Sequence, residues 1–395
     1  MSKWESKLIG DIFKISSGGT PSRKKPEFFE GGKVPWVKTG ELKGKFANKP
    51  QEYITDEALL NSSAKLFPVK TVLLAMYGAT IGACSILDFE AATNQACAAL
   101  LPTSECDEVY TYYYLKSIKD EIIRKGVGGA QPNISAGLIK KIQIPLPPLA
   151  TQKKIAAILD QADNLRQLNK QLIAKYDALT QSLFLDMFGD PVTNPMGWEK
   201  TAIDDISTLV TKGASPKWQG FEYISSGVRF VTSENVRLGY LDCHKDKFVA
   251  YQFHEKLKRS SLKKDDLLVN LVGASIGRGA LVTNHILPAN INQAVAKIEL
   301  DSLKVNPVFL LNQIITPQLQ DRLIGNKVEG ARANISLKNV RELSIYIPPI
   351  ALQNLFADRI QAIEAQKAQA QQALQKSEDL FNSLLQRAFK GELVG

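Results

Sequence analysis

Ile144-Pro145-Leu146-Pro147-Pro148-Leu149-Ala150-Thr151-Gln152 opens a stretch that closes at Ser182-Leu183-Phe184-Leu185-Asp186-Met187-Phe188-Gly189. The chain writes it a second time, as Ile345-Tyr346-Ile347-Pro348-Pro349-Ile350-Ala351-Leu352-Gln353 and then Ser383-Leu384-Leu385-Gln386-Arg387-Ala388-Phe389-Lys390-Gly391. Pro148 pairs with Pro349, Gln152 with Gln353, Ser182 with Ser383 and Phe188 with Phe389, at a constant offset of 201 residues. Between each double proline and the distal aromatic run 40 residues without Pro or Gly, rich in Ala, Leu, Gln and Lys. A Pro-Pro start, a Gly stop and that composition predict one long helix in each copy, roughly 60 Å at 1.5 Å per residue.

Apolar residues step along both helices by alternating fours and threes, the spacing of a coiled-coil seam. One row is Ile155, Leu159, Ala162, Ile173, Tyr176, Leu183 and Met187, with Arg166, Asn169 and Thr180 in its gaps. The other is Phe356, Ile360, Ile363, Ala370, Leu374, Phe381, Leu384 and Ala388, interrupted by Lys367 and Ser377. An isolated helix of this length has no core, so the two copies are expected to pack on each other. A competing register on the first helix runs through Leu165, Leu168, Leu172 and Leu179.

The segments ahead of the helices also match. Gly18-Gly19-Thr20-Pro21-Ser22-Arg23 recurs as Gly213-Ala214-Ser215-Pro216-Lys217. Val34-Pro35-Trp36-Val37-Lys38-Thr39-Gly40-Glu41 recurs as Val228-Arg229-Phe230-Val231-Thr232-Ser233-Glu234-Asn235. Gly78-Ala79-Thr80-Ile81-Gly82 recurs as Gly273-Ala274-Ser275-Ile276-Gly277, Asn94-Gln95 as Asn292-Gln293, and Asn133-Ile134-Ser135 as Asn334-Ile335-Ser336. The order is unbroken, so the chain is a tandem duplication built as domain, helix, domain, helix. Short β-rich runs (Val69–Met76, Ala96–Leu101, Gln143–Leu146) mix with helical pieces near Glu57–Asn61 and Val109–Arg124, which makes the class α+β. Ser135 is read as a helix cap.

At 395 residues and a net charge of +9, the protein favours acidic partners, nucleic acid first. Four cysteines (Cys84, Cys97, Cys106, Cys243) without a CxxC pair suggest a reducing cytoplasm, and Met1-Ser2-Lys3-Trp4-Glu5 starts no signal peptide. Thr71–Leu87 is uncharged but short and glycine-interrupted, so it reads as a buried strand, turn and strand rather than a membrane span. No catalytic constellation is evident. Asn306-Pro307-Val308-Phe309 lacks the second proline of an adenine-methylase loop, and no phosphate-binding Gly-rich loop with Lys-Ser/Thr exists. Cys243-His244 with His254 fits no zinc spacing, and Asp265-Asp266 reads as turn and surface rather than a nuclease centre.

The reading surface is placed by charge and by donor–acceptor side chains. From residue 15 to 49 there are eight basic against three acidic residues, a net of +5; from 211 to 264, eleven against five, a net of +6. Lys24, Lys25, Lys38, Lys43 and Lys212 are candidates for phosphate contacts. Candidates for base readers are Arg23, Thr39, Gln131 and Asn133 in the first domain, and Lys217, Arg229, Ser233, Asn235, Arg237 and Arg332 in the second. Solvated loop residues are the plain alternative for each. The glycine turns permit close approach either to phosphates or to a neighbouring strand, and Asn94-Gln95 and Asn292-Gln293 are expected to hydrogen-bond to those turns.

Gly-Gly-Thr-Pro-Ser, then Pro-Trp-Val-Lys, Gly-x-x-x-Gly, Asn-Gln and Ile-Pro-Leu-Pro-Pro-Leu-x-x-Gln-x-x-Ile-Ala together resemble the specificity subunit of type I restriction–modification systems. The second half departs at Ala214-Ser215-Pro216 and Phe230. The resemblance implies target recognition domains at 1–148 and 190–349, and long helices at 149–189 and 350–395 paired as an antiparallel coiled coil with pseudo-two-fold symmetry. It implies a non-catalytic chain that binds a bipartite, asymmetric double-stranded DNA target, the helices acting as ruler for the spacer. It also implies two adenine methyltransferase subunits and ATP-dependent restriction motor-nuclease subunits; Leu165, Leu168, Leu172 and Leu179, outside the first seam register, are candidates for the methylase contact, or line the seam if the competing register is the one used. S-adenosylmethionine, ATP and Mg2+ would then belong to those partners, with no cofactor or membrane for this chain. A stand-alone duplicated DNA-binding or scaffold protein is the second reading, an enzyme in its own right the third.

Overall fold

The computed structural model describes residues 3–126, 133–325 and 334–394. Two uninterrupted helices, Leu149–Phe188 and Ile350–Lys390, occupy the repeated stretches. The chain divides into two compact units that cut across both: residues 1–170 with 372–395, and residues 171–371.

In the first unit, a four-stranded antiparallel sheet has the order Ile15–Ser17, Cys97–Leu100, Val72–Ala75, Cys84–Ile86. Val72 lies opposite both Leu100 and Ile86, so every side chain of Val72–Ala75 is buried, and the uncharged run around it is a sheet centre. A second, mixed sheet orders Tyr53–Ile54, Val34–Val37, Ala91–Thr93 and Leu66–Phe67, with Trp36 paired in parallel to Ala92. The second unit repeats the first sheet as Ser207–Lys212, Val295–Leu300, Leu267–Asn270, Gly279–Leu281, and the mixed one as Phe248–Val249, Val228–Val231, Ala289–Ile291. Short helices follow the sheets. Asp107 caps Glu108–Ser117 and Asn306 caps Pro307–Ile314, each through side-chain bonds to two backbone N–H groups. The Asn-Pro-x-Phe string is thus a helix start, with Phe309 wholly buried. Ser135 accepts from the Leu138 N–H as a cap, and Ser336 does the same for Asn339.

Each unit closes its core with its own halves of the two long helices. Ile155, Leu159 and Ala162 join Phe381 and Ala388 in one cluster with Tyr110 and Tyr113. Arg166 lies over the Phe381 ring at 4.5 Å, and Asn169 Nδ2 donates to Ser377 Oγ at 3.3 Å. In the second unit Phe184 meets Phe356, and Lys367 pairs with Asp177 at 2.6 Å. Contact positions rise along one helix as they fall along the other, so the pairing is antiparallel. The register through Ile155, Leu159 and Ala162 is the buried one; Leu165, Leu168, Leu172 and Leu179 stand outside it, 40% to 61% exposed. Near the end of the first helix the buried face moves by one residue. Phe184 and Phe188, rather than Leu183 and Met187, are fully buried, because that end also packs on Phe309 of the domain.

Candidate nucleic-acid interface

In the first unit four loops are tied to one another by backbone hydrogen bonds. Gly19 N–H donates to Thr93 O at 2.8 Å, and a Cβ at Gly18 would lie 2.1 Å from that same oxygen, so only glycine permits the approach. Asn94 N–H donates to Val37 O (3.1 Å), which sets Lys38-Thr39 beside Asn94-Gln95. Met76 N–H donates to Ala96 O and Ile134 N–H to Met76 O, both at 2.8 Å, and Tyr77 bridges Asn133. Gly18–Thr20, Lys38-Thr39, Asn94-Gln95 and the 78–82 turn with Asn133 therefore share one side of the domain. Thr20 Oγ1 donates to Gln95 Oε1, and the buried Trp36 indole donates to Gly19 O at 3.1 Å from beneath.

The second unit repeats the rest of this weave, with Asn292 N–H to Val231 O (3.0 Å), Leu271 N–H to Ala294 O and Ile335 N–H to Leu271 O (both 2.9 Å), and a Val272–Asn334 bridge, while its glycine loop is tied by a different bond, Gly213 N–H to Asn292 O (3.2 Å). A Cβ at Gly213 would stand 1.7 Å from Ile291 O. Ser233 and Asn334 thus occupy the places of Thr39 and Asn133.

Several candidate readers are already engaged. Arg23 and Lys38 both donate to Glu52, whose carboxyl is held below its usual range by the Lys38 hydrogen bond, with Arg23 adding to it against partial burial. The Arg23 guanidinium also lies 4.5 Å from the Phe29 ring and 5.3 Å from that of Trp36. Lys25 sits over Phe28; Lys24, Lys43, Lys212, Lys217 and Asn133 are exposed, and Thr39 and Ser233 half-buried. Arg229 spends Nε on Asp246 (2.9 Å) and Nη1 on His285 O (3.1 Å), and Arg237 pairs with Asp242. Asn235 is 5% exposed; its Oδ1 accepts from Thr232 N and Oγ1, and its Nδ2 donates to Asp242 O. As placed, Asn235 is a turn lock with no edge to offer a base. Gln131 and Arg332 lie outside the described residues.

Three further expectations change. Gly78 and Gly273 have φ of +80° and +75°, and a Cβ on either would meet nothing within 4 Å, whereas a Cβ on Gly82 or Gly277 would stand 3.0 Å from Lys119 Cγ or 2.9 Å from Gln320 Oε1, so the close approach of each turn is to a helix side chain and not to a strand. Asn292 Oδ1 accepts from Ala294 N–H, and the bond to the second glycine turn comes from Gln320 Nε2 to Gly277 O, 2.7 Å. Asp266 is not a surface residue. It is 4% exposed, accepts from Lys263 N–H at 2.7 Å and faces Lys297, itself 1% exposed and bonded to Glu299 at 2.6 Å.

Burial pushes the Cys84, Cys97 and Cys106 thiols up to about 12, so they are packing groups. Among the described residues no group of His, Cys, Asp and Glu is arranged to hold a metal ion, and no helix is long and apolar enough to cross a membrane. His254 Nδ1 is 2.6 Å from Asn290 Oδ1.

The family model for the type I restriction modification DNA specificity domain matches residues 1–176 and again 195–376. The specificity subunit of the Escherichia coli type I restriction enzyme EcoR124I/EcoR124II is 31% identical over 166 residues, a match spanning 41% of either chain. That of MjaIX from Methanocaldococcus jannaschii is 23% identical over 99% of this chain and 93% of its own. A crystal structure of the type I restriction-modification S subunit from M. genitalium superposes with a TM-score of 0.58 at 16% identity, covering 98% of this chain and 96% of that one. A chain from a structural study of complex assembly and conformational transition in a type I R-M system gives 0.62 at 15% identity, covering 99% and 98%. These two likenesses speak to the fold. The chain belongs to the family of type I restriction modification DNA specificity subunits, DNA-recognition rather than catalytic components, and carries two copies of their domain.

Proposed function

We propose that each domain reads one half of a two-part, asymmetric double-stranded DNA target, through the four interwoven loops on its basic side. The observation that carries this is the likeness of the weave in both domains against the difference of the side chains set on it: Arg23 against Trp218, Lys38 against Thr232. One scaffold displays two donor–acceptor patterns, as two different half-sites require. Exposed lysines (Lys24, Lys43, Lys212, Lys217) supply phosphate contacts and salt-dependent affinity. Chemistry then comes from partners in the cytoplasm: two adenine methyltransferase subunits using S-adenosylmethionine, and restriction subunits using ATP and Mg2+. The exposed row Leu165, Leu168, Leu172 and Leu179, left out of the helix seam, is the surface offered to the methylase.

Genome-wide mapping of N6-methyladenine in cells expressing the chain with an adenine methylase subunit tests this. A two-part motif that vanishes when the chain is deleted is expected. No new methylation, or one continuous motif, would move the reading to a stand-alone DNA-binding protein.

A further inference from the structure

Trp218 stands 82% exposed, more than any other aromatic among the described residues. An indole carries a large apolar surface, and a folded chain normally buries most of it. The loop that holds it is braced from both ends. Gly213 is locked against Asn292 O, as above, and the turn Lys217–Gln219 is closed by Gln219 N–H and Phe221 N–H on Pro216 O (2.9 and 3.0 Å). Gly220, at φ +80°, ends the turn; Lys256 Nζ donates to Gln219 O at 3.2 Å, and the Phe221 ring meets buried Phe253 edge-on at 5.5 Å. The indole is therefore held out in water by a rigid support and does not belong to a floppy tip.

We propose that Trp218 inserts its indole into the base stack of the half-site read by the second domain, and so sets which base step that domain accepts. This rests on the DNA-reading role above. The loop springs from the weave of candidate readers at Gly213, and in the chain Trp218 is flanked by the exposed Lys217 and by Gln219. A cation next in the chain to a projecting aromatic suits phosphate plus base. Aromatic and apolar wedges favour steps that unstack easily, which turns insertion into sequence preference. In the aligned first domain, Pro21-Ser22-Arg23 stands where the second has Pro216-Lys217-Trp218. Arg23 is folded back on Phe29 and Glu52, so the wedge is particular to one half-site.

The test uses the full chain with its methylase subunits and duplexes carrying the mapped motif, with 2-aminopurine placed singly at positions other than the methylated adenine. A fluorescence rise at one step of the second domain's half-site is expected. Trp218→Ala should abolish it and weaken binding about ten-fold, while Trp218→Phe restores most of both. Unchanged fluorescence and affinity in Trp218→Ala would overturn the proposal. So would normal DNA binding by that variant with loss of methylase co-purification, which would make the indole a protein contact. Failure of the unsubstituted complex to bind any duplex would overturn the DNA-reading role itself, and this proposal with it.

Discussion

Gln152 and Gln353 lie wholly buried at equivalent places, one turn into each long helix. Gln152 Oε1 accepts from Asp107 N–H at 2.8 Å, and its Nε2 donates to Glu105 O and Pro147 O at 3.0 and 2.8 Å. One amide therefore fastens the start of the long helix to the start of a domain helix, and Gln353 repeats the device with Asn306 N–H and Pro348 O. Leucine at 152 would fill the space but leave those groups unpaired, so Gln152→Leu should cost about 1–3 kcal/mol in denaturant unfolding of the full chain. Gln161→Leu, on the exposed face, should stay within about 0.5 kcal/mol. Asp266 makes a different residue-scale prediction. Burial raises its carboxyl from 3.8 to about 6, against the pull of Lys263 N–H and Lys297. A folded pKa above the unfolded one means that the native state binds the extra proton. Its contribution therefore favours folding at low pH and is lost as pH rises from about 4 to above 6. Wild type should lose stability relative to Asp266→Asn across that window, by about 3 kcal/mol at most. Urea titrations at pH 4.5 and pH 7 giving the same difference would show that Asp266 ionises normally.

At the scale of elements, the seam uses the register of Ile155, Leu159 and Ala162 over the competing row of leucines, and neighbouring residues test it. Phe381 is 1% exposed, covered by Arg166 at 4.5 Å and Lys116 at 5.3 Å, whereas Leu380 is 47% exposed. Phe381→Ala should cost about 3–5 kcal/mol and Leu380→Ala no more than about 0.5, read from unfolding midpoints. Comparable costs would place the seam elsewhere. The seam was legible because its steps of four and three continue through polar gaps that the partner helix can satisfy, as Asn169 is by Ser377. The aromatic shift at Phe184 and Phe188 was not, since it depends on Phe309, more than a hundred residues away. The reading loops divide in the same way. Repetition marked Gly18, Gly213 and the Asn-Gln pairs. The carboxylate partners of the candidate readers Arg229 and Arg237, Asp246 and Asp242, were not legible, because they become partners only once the loops are folded. Glu52, which draws Arg23 and Lys38 together, carried no local signal at all.

For the molecule as a whole, duplication separates what is shared from what varies. The helices and the glycine-locked loops are common to both copies, while the side chains displayed on them differ, as Arg23 does from Trp218. Each domain core is complete with its own helix halves: Ile155, Leu159 and Phe381 in one, Phe184, Phe356 and Ile360 in the other. A block exchange that keeps the helices therefore leaves the first domain's core and loops untouched. Replacing residues 190–349 with the corresponding block of another member of the family should change one half of the mapped methylation motif and leave the other half as it was. Mapping N6-methyladenine before and after the exchange reads this directly. If both halves change together, the two domains form one composite reading surface, and independent half-site recognition is wrong. If neither changes, the exchanged block does not read DNA, and the side chains that do must lie within residues 1–148 or on the helices.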